Sequence, residues 1–394
     1  MKILFQGIYL EKCFENELQS STRNFPYAQQ KFESMIIDGF KKNEYDFTIL
    51  STFPCLRWPN YKKIIVNLKS NESNHFYLKF INLPFFKQLS IIISQFIFII
   101  KWCNRNRENK KIYLIYGTNP INCIMPLLLR KILDYKVVVI VSEINEYSYF
   151  DMSNILKKLK KTIYLKVSNW FSNCFDGYIL LSQYMNEVIN KNKKPYIIIE
   201  AICDGDINRK ISYDNRNRSI LYAGSLLKKY GIAKLVDAFV KCNIDSYTLD
   251  IYGNGDYVEE IERISKTYKQ IKYHGTVSNE EIKEIEKKAY LLVNPRPSDE
   301  KITRYSFPSK TIEYMSSGTV CLITKLSGIP DEYFEYCYHF DSETVETMSI
   351  KLKEILNLDP DNLEEKAKEA FEFVNRTKNS KNQTKKIYDF LNKI

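Results

Sequence analysis

The chain has 394 residues, of which 44% are hydrophobic and 14% aromatic, so it is long and apolar enough for two domains with packed cores. This composition excludes a disordered or low-complexity protein. The nine cysteines are spread singly, without zinc-ligand spacing, which is typical of a protein of the reducing cytoplasm and excludes a disulfide-rich secreted module.

The net charge of +11 is concentrated in the first half of the chain. Through residue 200 there are 28 Lys and Arg against 16 Asp and Glu, whereas the remaining residues carry 30 against 31. This excess indicates either a solvated basic face or a domain that meets an anionic surface, such as a membrane leaflet or a phosphate-bearing acceptor. No helix-turn-helix, zinc finger or RNA-binding aromatic signature is present, so nucleic acid is not an expected partner.

Apolar runs of strand length alternate with helical patterns through the first half. The N-terminal MKILFQGIYL is predicted to be a strand and not a signal peptide. The predicted strands are KILFQG, DFTILST, KIYLIYG, KVVVIVS, GYILLS and YIIIEA, with helices predicted at 29–42, 121–133 and 155–174. Strands that are apolar throughout and separated by helices indicate a parallel sheet covered on both faces.

One segment of the first half, LSIIISQFIFII at 89–100, is strongly apolar but has only twelve residues before Lys101. A membrane span needs about 20 apolar residues, so this segment is not predicted to cross a bilayer. A buried helix of the α/β domain is the preferred interpretation. The alternative is an interfacial helix with Lys101 and Trp102 at its edge.

The same alternation restarts in the second half. The strands SILYAG, TLDIYG, IKYHG, YLLVN and TVCLIT alternate with helices predicted at 232–240, 258–268 and 280–288. We therefore predict two Rossmann-like, doubly wound α/β domains that face a central cleft. Their predicted bounds are 1–204 and 205–376, and a last helix in 377–394 is expected to return to the first domain.

Several familiar catalytic motifs are missing. Neither half has Gly-x-Gly-x-x-Gly after its first strand, a Walker A sequence, or a Gly-x-Ser-x-Gly elbow. The three histidines, His75, His274 and His339, include no pair at metal-ligand spacing. We therefore expect no metal and no cofactor, and a dinucleotide dehydrogenase or P-loop enzyme is disfavoured.

Predicted strand ends in the second domain carry residues suited to an anionic ligand. Glycine lets the backbone approach a phosphate or sugar, and Lys and Arg supply charge-assisted donors. These candidate ligand-binding residues are Gly224, Ser225 and Lys228 after the first strand, Gly253 and Asn254 after the second, and Arg296 after the fourth.

The stretch RYSFPSKTIEYMSSG, from Arg304 to Gly318, combines a helix start with charged side chains. Pro308 suits the first turn of the helix, Ser306 is a candidate cap, and Ser309 leaves a backbone N–H group at the helix start. Lys310 adds positive charge to this anion-binding end, and Glu313, one turn later, suits a ribose diol. The alternative is a capped helix with an i,i+3 Lys–Glu pair.

The motif F-P-S-K-x-x-E-Y-M-x-S-G closely resembles the signature helix of the family 4 retaining, nucleotide-sugar-dependent glycosyltransferases, which have the GT-B fold. The resemblance covers the second domain through LYAGSLLKKYGIAKLVDAF, LDIYGNGD, IKYHGTVSNEEI and LLVNPRP. The first domain is similar more loosely, through VSEINEYSYF and FDGYILLSQYMNEVI, and resembles a polysaccharide-biosynthesis branch of that family.

The resemblance implies roles for individual residues. Glu313 matches the second Glu of the family's Glu-x7-Glu pair, which holds the ribose, and Gly224 matches the glycine of the first phosphate loop. The turn that meets the donor diphosphate and sugar is matched by Phe307, Pro308, Ser309 and Lys310.

The sequence departs from the family pattern at three positions. The first Glu of the pair is replaced by Tyr305, and the Arg and Lys that follow the first glycine fall on Ser225 and Tyr230. The family's N-domain His is also absent, and Glu143 or Glu146 occupies the comparable strand end. The remaining candidates to neutralise a diphosphate are Arg296, Lys310, Lys228 and Arg304.

The resemblance implies transfer of a sugar, with retention, from a UDP- or GDP-linked donor to a glycan or polyprenyl-diphosphate-linked acceptor. The expected pathway is capsule, exopolysaccharide or O-antigen synthesis, in the cytoplasm or peripherally on the anionic inner leaflet. Because of the three departures, the alternative is a non-catalytic GT-B protein that binds a nucleotide or glycan as a partner or scaffold. A nucleotide-sugar 2-epimerase is disfavoured because no histidines are suitably placed.

Overall fold

The computed structural model describes residues 1–14, 26–144, 155–204, 209–299 and 301–394. The chain forms two compact units. The first contains Met1–Ile202 together with Ser380–Ile394, and the second contains Cys203–Asn379. The sequence analysis had placed the corresponding boundaries at 204/205 and 376/377.

The first unit is built on a seven-stranded parallel sheet with the order β4-β2-β1-β6-β7-β8-β9, next to a two-stranded antiparallel pair of β3 and β5. Its central strands are mostly apolar and buried, and every residue of β6 is buried, so the sheet must be covered on both faces. The strands are β1 Lys2–Gly7, β2 Phe47–Ser51, β3 Ile65–Val66, β4 His75–Tyr77, β5 Phe80–Ile81, β6 Lys111–Tyr116, β7 Lys136–Val141, β8 Gly177–Leu180 and β9 Tyr196–Ile198.

Two groups of helices cover the sheet of the first unit. The helices are α1 Tyr27–Lys42, α2 Phe86–Arg105, α3 Pro120–Leu129, α4 Ile155–Ser172, α5 Gln183–Ile189 and, from the end of the chain, α13 Ser380–Lys393. Helices α1 and α13 pack on the face that carries Ile3 and Phe5. Helix α2 packs on the opposite face, where its Gln95 donates to Gln6, and it contacts α3, which in turn contacts α4.

Helix α13 completes the core of the first unit although it follows the second unit in sequence. Ile387 and Leu391 are fully buried, and the ring of Tyr388 stacks on Tyr45 at 3.8 Å. The amide of Gln383 donates to the carbonyl of Ala201 at 2.9 Å. The first unit therefore needs both ends of the chain for its core.

Helix α2 is longer and more exposed than the sequence indicated. It extends over 20 residues, and within the described residues it is the one helix whose length and composition would suit a membrane span. Only 28% of its most apolar window is buried. The prediction of a buried helix is therefore wrong for one of its faces, because only one face packs on the domain. The buried residues of the helix are Ile91, Gln95, Ile99, Trp102 and Cys103.

The second unit is a six-stranded parallel sheet with the order β12-β11-β10-β13-β14-β15. Its strands are β10 Ser219–Ala223, β11 Thr248–Tyr252, β12 Ile271–Tyr273, β13 Leu291–Asn294, β14 Cys321–Ile323 and β15 Tyr338–His339. Its helices are α6 Ile232–Cys242, α7 Val258–Thr267, α8 Asn279–Glu286, α9 Lys301–Arg304, α10 Ser309–Ser316, α11 Val345–Leu356 and α12 Pro360–Thr377. One apolar cluster joins α6, α7, α11 and α12 to the sheet.

Glu33 of α1 is a buried carboxyl group in the first unit. Burial raises its pKa from 4.5 to about 7, although Gln29 and the backbone amide of Ile8 donate hydrogen bonds to it. Between pH 4.5 and about 7, the folded state therefore binds one more proton than the unfolded state. The stabilisation from that proton is fully present below pH about 4.5 and is lost as the pH rises through about 7.

We predict that Glu33→Gln raises the free energy of unfolding by about 3 kcal/mol near pH 8 and by less than about 1 kcal/mol near pH 5. The amide keeps an acceptor for the Ile8 N–H group but cannot ionise. Urea unfolding across this pH range measures the difference, with the exposed Glu108→Gln as the control. Parallel pH profiles for Glu33→Gln and the wild type would contradict the assignment.

Candidate functional site

The strand order of the second unit reverses between β10 and β13. In doubly wound sheets, ligands bind at such a switch point, at the carboxyl ends of the strands. In this unit, the two strand ends are Gly224 after β10 and Pro295 after β13. Both carry residues that the sequence analysis selected.

Two glycine loops lie directly against each other at this edge. Gly224 and Gly253 have φ of 154° and 133°, and the Gly224 amide donates to the carbonyl of Tyr252 at 2.9 Å. A Cβ at Gly253 would overlap the carbonyl oxygen of Gly224. The carbonyl of Asn254 accepts a hydrogen bond from the Leu226 amide at 2.9 Å, so the loop after β11 holds the loop after β10.

Helix α10 brings the signature residues to the same strand end. It begins at Ser309, with Pro308 as its N-cap residue, and no side chain in the described part of the chain caps this end. The prediction that Ser306 caps the helix is wrong, because its hydroxyl donates to the carbonyl of Ile302 at 3.0 Å. An uncapped helix N-terminus leaves room for an anion.

Lys310 joins the start of α10 to the end of β10. Its ammonium group donates to the carbonyl of Ala223 and lies 5.6 Å from the centre of the Tyr222 ring. A Cβ at Gly224 would overlap the Lys310 side chain. One turn later, the hydroxyl of Tyr314 accepts a hydrogen bond from the Ala223 amide at 3.3 Å. Helix and strand are thus fixed to each other at this strand end.

Arg296 approaches the same strand end from β13. Its guanidinium lies 5.3 Å from the centre of the Tyr230 ring, and the ammonium group of Lys229 lies 5.2 Å from that ring. Burial raises the pKa of the Tyr222 hydroxyl, while the positive charge of Arg296 opposes this shift. Lys310 thus lies by the Tyr222 ring, and the charge of Arg296 acts on the Tyr222 hydroxyl.

Close backbone packing holds Tyr230 near Arg296. Gly231 follows Tyr230 with φ of 82°, and a Cβ at Gly231 would overlap the carbonyl of Pro295. The turn after β10 is therefore pressed against the loop after β13. A side chain larger than hydrogen at Gly231 would separate them.

Glu313 lies on α10, half-buried, three residues after Lys310. Burial alone would lower the pKa of the Lys283 ammonium, but its hydrogen bond to Asp204 and the charges of Asp204 and Glu313 outweigh burial and raise it. The carboxylate of Glu313 therefore lies within electrostatic reach of Lys283. Lys283 itself forms an ion pair with Asp204 at 3.0 Å.

Other selected residues lie further from the Lys310 contact. The backbone amide of Lys228 donates to Asp256 at 2.8 Å, and its ammonium lies 5.7 Å from the centre of the Tyr257 ring, on the side of β11. Ser225 is exposed, and its carbonyl accepts a hydrogen bond from the Tyr222 hydroxyl at 2.8 Å.

The residues just before α10 form a short connection. Arg304 is exposed at the end of α9, and the amide of Tyr305 donates to the carbonyl of Ile302 at 3.0 Å. Phe307 is buried with its ring 5.1 Å from that of Tyr333, so its side chain belongs to the core. The implied role of Phe307 in meeting the donor therefore falls to its backbone.

The candidate acceptor residues lie in the first unit. Glu143 is exposed and follows β7, and its charge, like that of Glu33, contributes to a raised pKa of the Tyr116 hydroxyl, which is chiefly due to burial. Glu146 lies outside the described residues. Within the described residues, no group of three or more His, Cys, Asp or Glu side chains is placed to hold a metal ion.

Three tyrosines that shape this site, Tyr222, Tyr230 and Tyr314, are not predicted from the sequence to do so. Tyr314 stands four residues after Lys310, so helical spacing alone places both on one face. Tyr230 was considered only as the replacement of a lysine, because its proximity to Arg296 depends on the packing of Gly231 on Pro295.

Residues 205–372 match the family model of glycosyl transferases group 1. No curated protein sequence matches the chain significantly.

The chain is similar in structure to several glycosyltransferases. Anabaena HepE in complex with UDP has a TM-score of 0.65 at 15% identity, covering 100% of both chains. A mutant of S. aureus TarM with UDP, fondaparinux and α-GlcNAc-glycerol has a TM-score of 0.64 at 9% identity, covering 99% of both. The lipopolysaccharide outer core galactosyltransferase WaaB has a TM-score of 0.62 at 13% identity, covering 100% of this chain and 99% of the other.

The protein therefore has the GT-B fold, and the predicted fold class is confirmed. The residues that match the glycosyl transferases group 1 model all lie in its second unit. The protein is a glycosyltransferase, as the signature helix indicated.

We predict that Gly253→Ala lowers the free energy of unfolding more than Gly275→Ala does. Both glycines have positive φ, so an alanine is strained by about 1–3 kcal/mol at either position. At Gly253 the new Cβ also meets a backbone carbonyl, which adds about 1–3 kcal/mol, whereas at Gly275 it meets open space. Urea unfolding measures both variants, and equal losses would contradict the tight contact between the two loops.

Proposed function

We propose that the protein is a family 4 retaining glycosyltransferase that uses a nucleoside-diphosphate sugar. We propose a lipid-linked glycan as its acceptor, in capsule, exopolysaccharide or O-antigen synthesis. The observation that carries this proposal is the contact of Lys310, at the start of α10, with the end of β10.

The donor diphosphate is assigned to the N-terminus of α10 and the Gly224 loop. Lys310, beside the Tyr222 ring, and Arg296, beside the Tyr230 ring, supply positive charge, and the uncapped helix end supplies backbone donors. Positive charge and oriented amides stabilise the departing diphosphate without reorganisation. The proposed diphosphate site is thus positively charged although the Arg and Lys of the family's first phosphate loop are replaced by Ser225 and Tyr230.

The ribose of the donor is assigned to Glu313. A carboxylate one helical turn beyond a phosphate site can accept hydrogen bonds from both hydroxyls of a ribose. Lys283, whose pKa is raised by Asp204 and Glu313 against the effect of burial, keeps a positive charge within electrostatic reach of this carboxylate.

The family resemblance implies the course of the proposed reaction. The bond between the anomeric carbon and the diphosphate oxygen breaks, and the acceptor hydroxyl attacks on the same face, so configuration is retained. The acceptor proton passes to the departing phosphate oxygen, and no dedicated base is required. Excluding water from an oxocarbenium-like sugar then prevents hydrolysis.

UDP is the first donor nucleotide to test, because HepE has been solved with UDP and with UDP-glucose. The acceptor is proposed to dock on the first unit, where the excess of Lys and Arg suits a polyprenyl diphosphate. The protein would act in the cytoplasm, on the inner face of the membrane. WaaB, which acts on the lipopolysaccharide outer core, is a structural neighbour in line with a lipid-linked glycan.

We expect Lys310→Ala to lower kcat by about 10²–10³-fold, because it removes one preorganised donor from the leaving diphosphate. Glu313→Ala should weaken binding of the nucleotide sugar by about ten- to a hundredfold, the value of hydrogen bonds to a charged group. Initial rates of sugar transfer measure both, with Lys353→Ala, an exposed lysine on α11, as the control. Wild-type kinetics in either site variant would overturn its assignment.

A thermal-shift screen of UDP, GDP and their sugars should identify the donor. A ligand at 100 times its dissociation constant stabilises the protein by about 2.7 kcal/mol. We expect UDP to raise the Tm of the wild type and of Lys353→Ala, and to raise that of Lys310→Ala much less. A protein that responds to none of these nucleotides would contradict the proposed donor site.

A further inference from the structure

The outward face of α2 is a stripe of large apolar side chains. Leu89, Ile93, Phe96 and Ile97 are all exposed, and Ile93 exposes 50% of its surface. These positions recur at helical spacing, so they lie on one side of the helix. A solvated helix carries polar residues on that side, whereas α2 is apolar on both sides.

The inward face of α2 is fixed to the sheet. Gln95 is fully buried and donates to Gln6 of β1 at 2.7 Å, and the indole of Trp102 donates to Thr48 of β2 at 3.3 Å. A helix that pairs polar side chains with a soluble sheet cannot be surrounded by lipid. Helix α2 therefore does not span a bilayer, and only its outward face is available to one.

The apolar surface continues onto the neighbouring helices. Helix α3 contacts both α2 and α4. Leu128 at the end of α3 is 60% exposed, and Trp170 on α4 is 63% exposed. On α4, Ile163 and Val167 are also exposed, and together with Trp170 they form a stripe at i, i+4 and i+7. We call the outward faces of these three helices the α2–α4 surface.

All formal side-chain charge on these helices is positive. Together α2, α3 and α4 contain eight Lys or Arg and no Asp or Glu. Exposed Lys101 follows the α2 stripe four residues after Ile97, and exposed Lys166 lies between Ile163 and Trp170 on α4. Each lysine near an anionic bilayer contributes about 1 kcal/mol of attraction.

We propose that the α2–α4 surface docks the protein on an anionic lipid leaflet. The helices lie parallel to the membrane plane, with Ile93, Ile97 and Trp170 inserted below the headgroups and Lys101 and Lys166 at phosphate level. This corrects the sequence-based alternative, in which Trp102 was the interfacial anchor, because Trp102 is only 6% exposed.

Charge favours lipid over a second copy of the chain as the occupant. Two copies meeting through this surface would bring together helices that carry only positive charges, which repel. An anionic leaflet satisfies the apolar stripes and the lysines at once. The surface belongs to the first unit, and its binding to lipid does not depend on the donor site of the second.

The test is co-sedimentation with vesicles of phosphatidylcholine mixed with phosphatidylglycerol, compared with pure phosphatidylcholine. We expect the wild type to bind the anionic vesicles in a salt-sensitive manner. The double variant Ile93→Gln, Ile97→Gln and the double variant Lys101→Glu, Lys166→Glu should each reduce partitioning by at least about tenfold. The matched control is Ile350→Gln, because Ile350 is 64% exposed on α11 of the second unit and should have no effect.

A second measurement uses Trp170. Its fluorescence should shift to the blue on anionic vesicles, and Trp170→Phe should remove most of that shift. Wild-type binding by both double variants, or no binding of the wild type to anionic vesicles, would overturn the proposal. A dimer in lipid-free solution that the Ile93→Gln, Ile97→Gln variant dissociates would assign the surface to a second copy instead.

The donor site is tested separately in the same samples. Unchanged UDP affinity in the Ile93→Gln, Ile97→Gln variant, and unchanged vesicle binding by Lys310→Ala, are the expected results. A wild type that binds vesicles but not UDP would count against the proposed function and leave lipid docking supported.

Discussion

The candidate site of the second unit is arranged around one contact, the hydrogen bond from the ammonium group of Lys310 to the carbonyl of Ala223. It exists only because Gly224 has no side chain in the space that Lys310 fills. The backbone amide of Ala223 donates to the hydroxyl of Tyr314, so one face of α10 holds both polar backbone groups at the end of β10. A helix N-terminus, a cation and a glycine loop are thereby placed together at the point where the strand order reverses.

Aromatic rings position the other cations around this contact. Arg296 and Lys229 lie by Tyr230, and Lys310 lies by Tyr222, at distances where an ammonium or guanidinium is attracted to a ring. Replacement of a basic residue by Tyr230 thus removes one charge and helps to orient another. The sequence shows that a basic residue is replaced at position 230. It does not show that Tyr230 contacts Arg296, because that contact depends on how the turn before Gly231 packs.

The helices on the two faces of the first sheet differ in how much of their apolar surface is buried. Helices α1 and α13 bury their apolar residues in one cluster, and α13 arrives from the end of the chain to complete it. On the other face, α2 is apolar on both sides although the sheet covers only one. The apolar content that composition assigned to a core is therefore divided between a core and an outward surface.

The sequence by itself determined the α/β class, the two doubly wound sheets and the signature helix, because the alternation of apolar strands and helices is a local pattern. It also located Gly224, Gly253, Arg296 and Lys310, since strand ends follow from strand positions. The two-residue strands β3 and β5 are too short to leave a pattern. Only the tertiary structure decided that Ser306 is not a cap, that Phe307 is core, and that one face of α2 is exposed. These outcomes depend on which residues, distant in sequence, pack nearby, and the periodicity of the sequence contains no information on such neighbours.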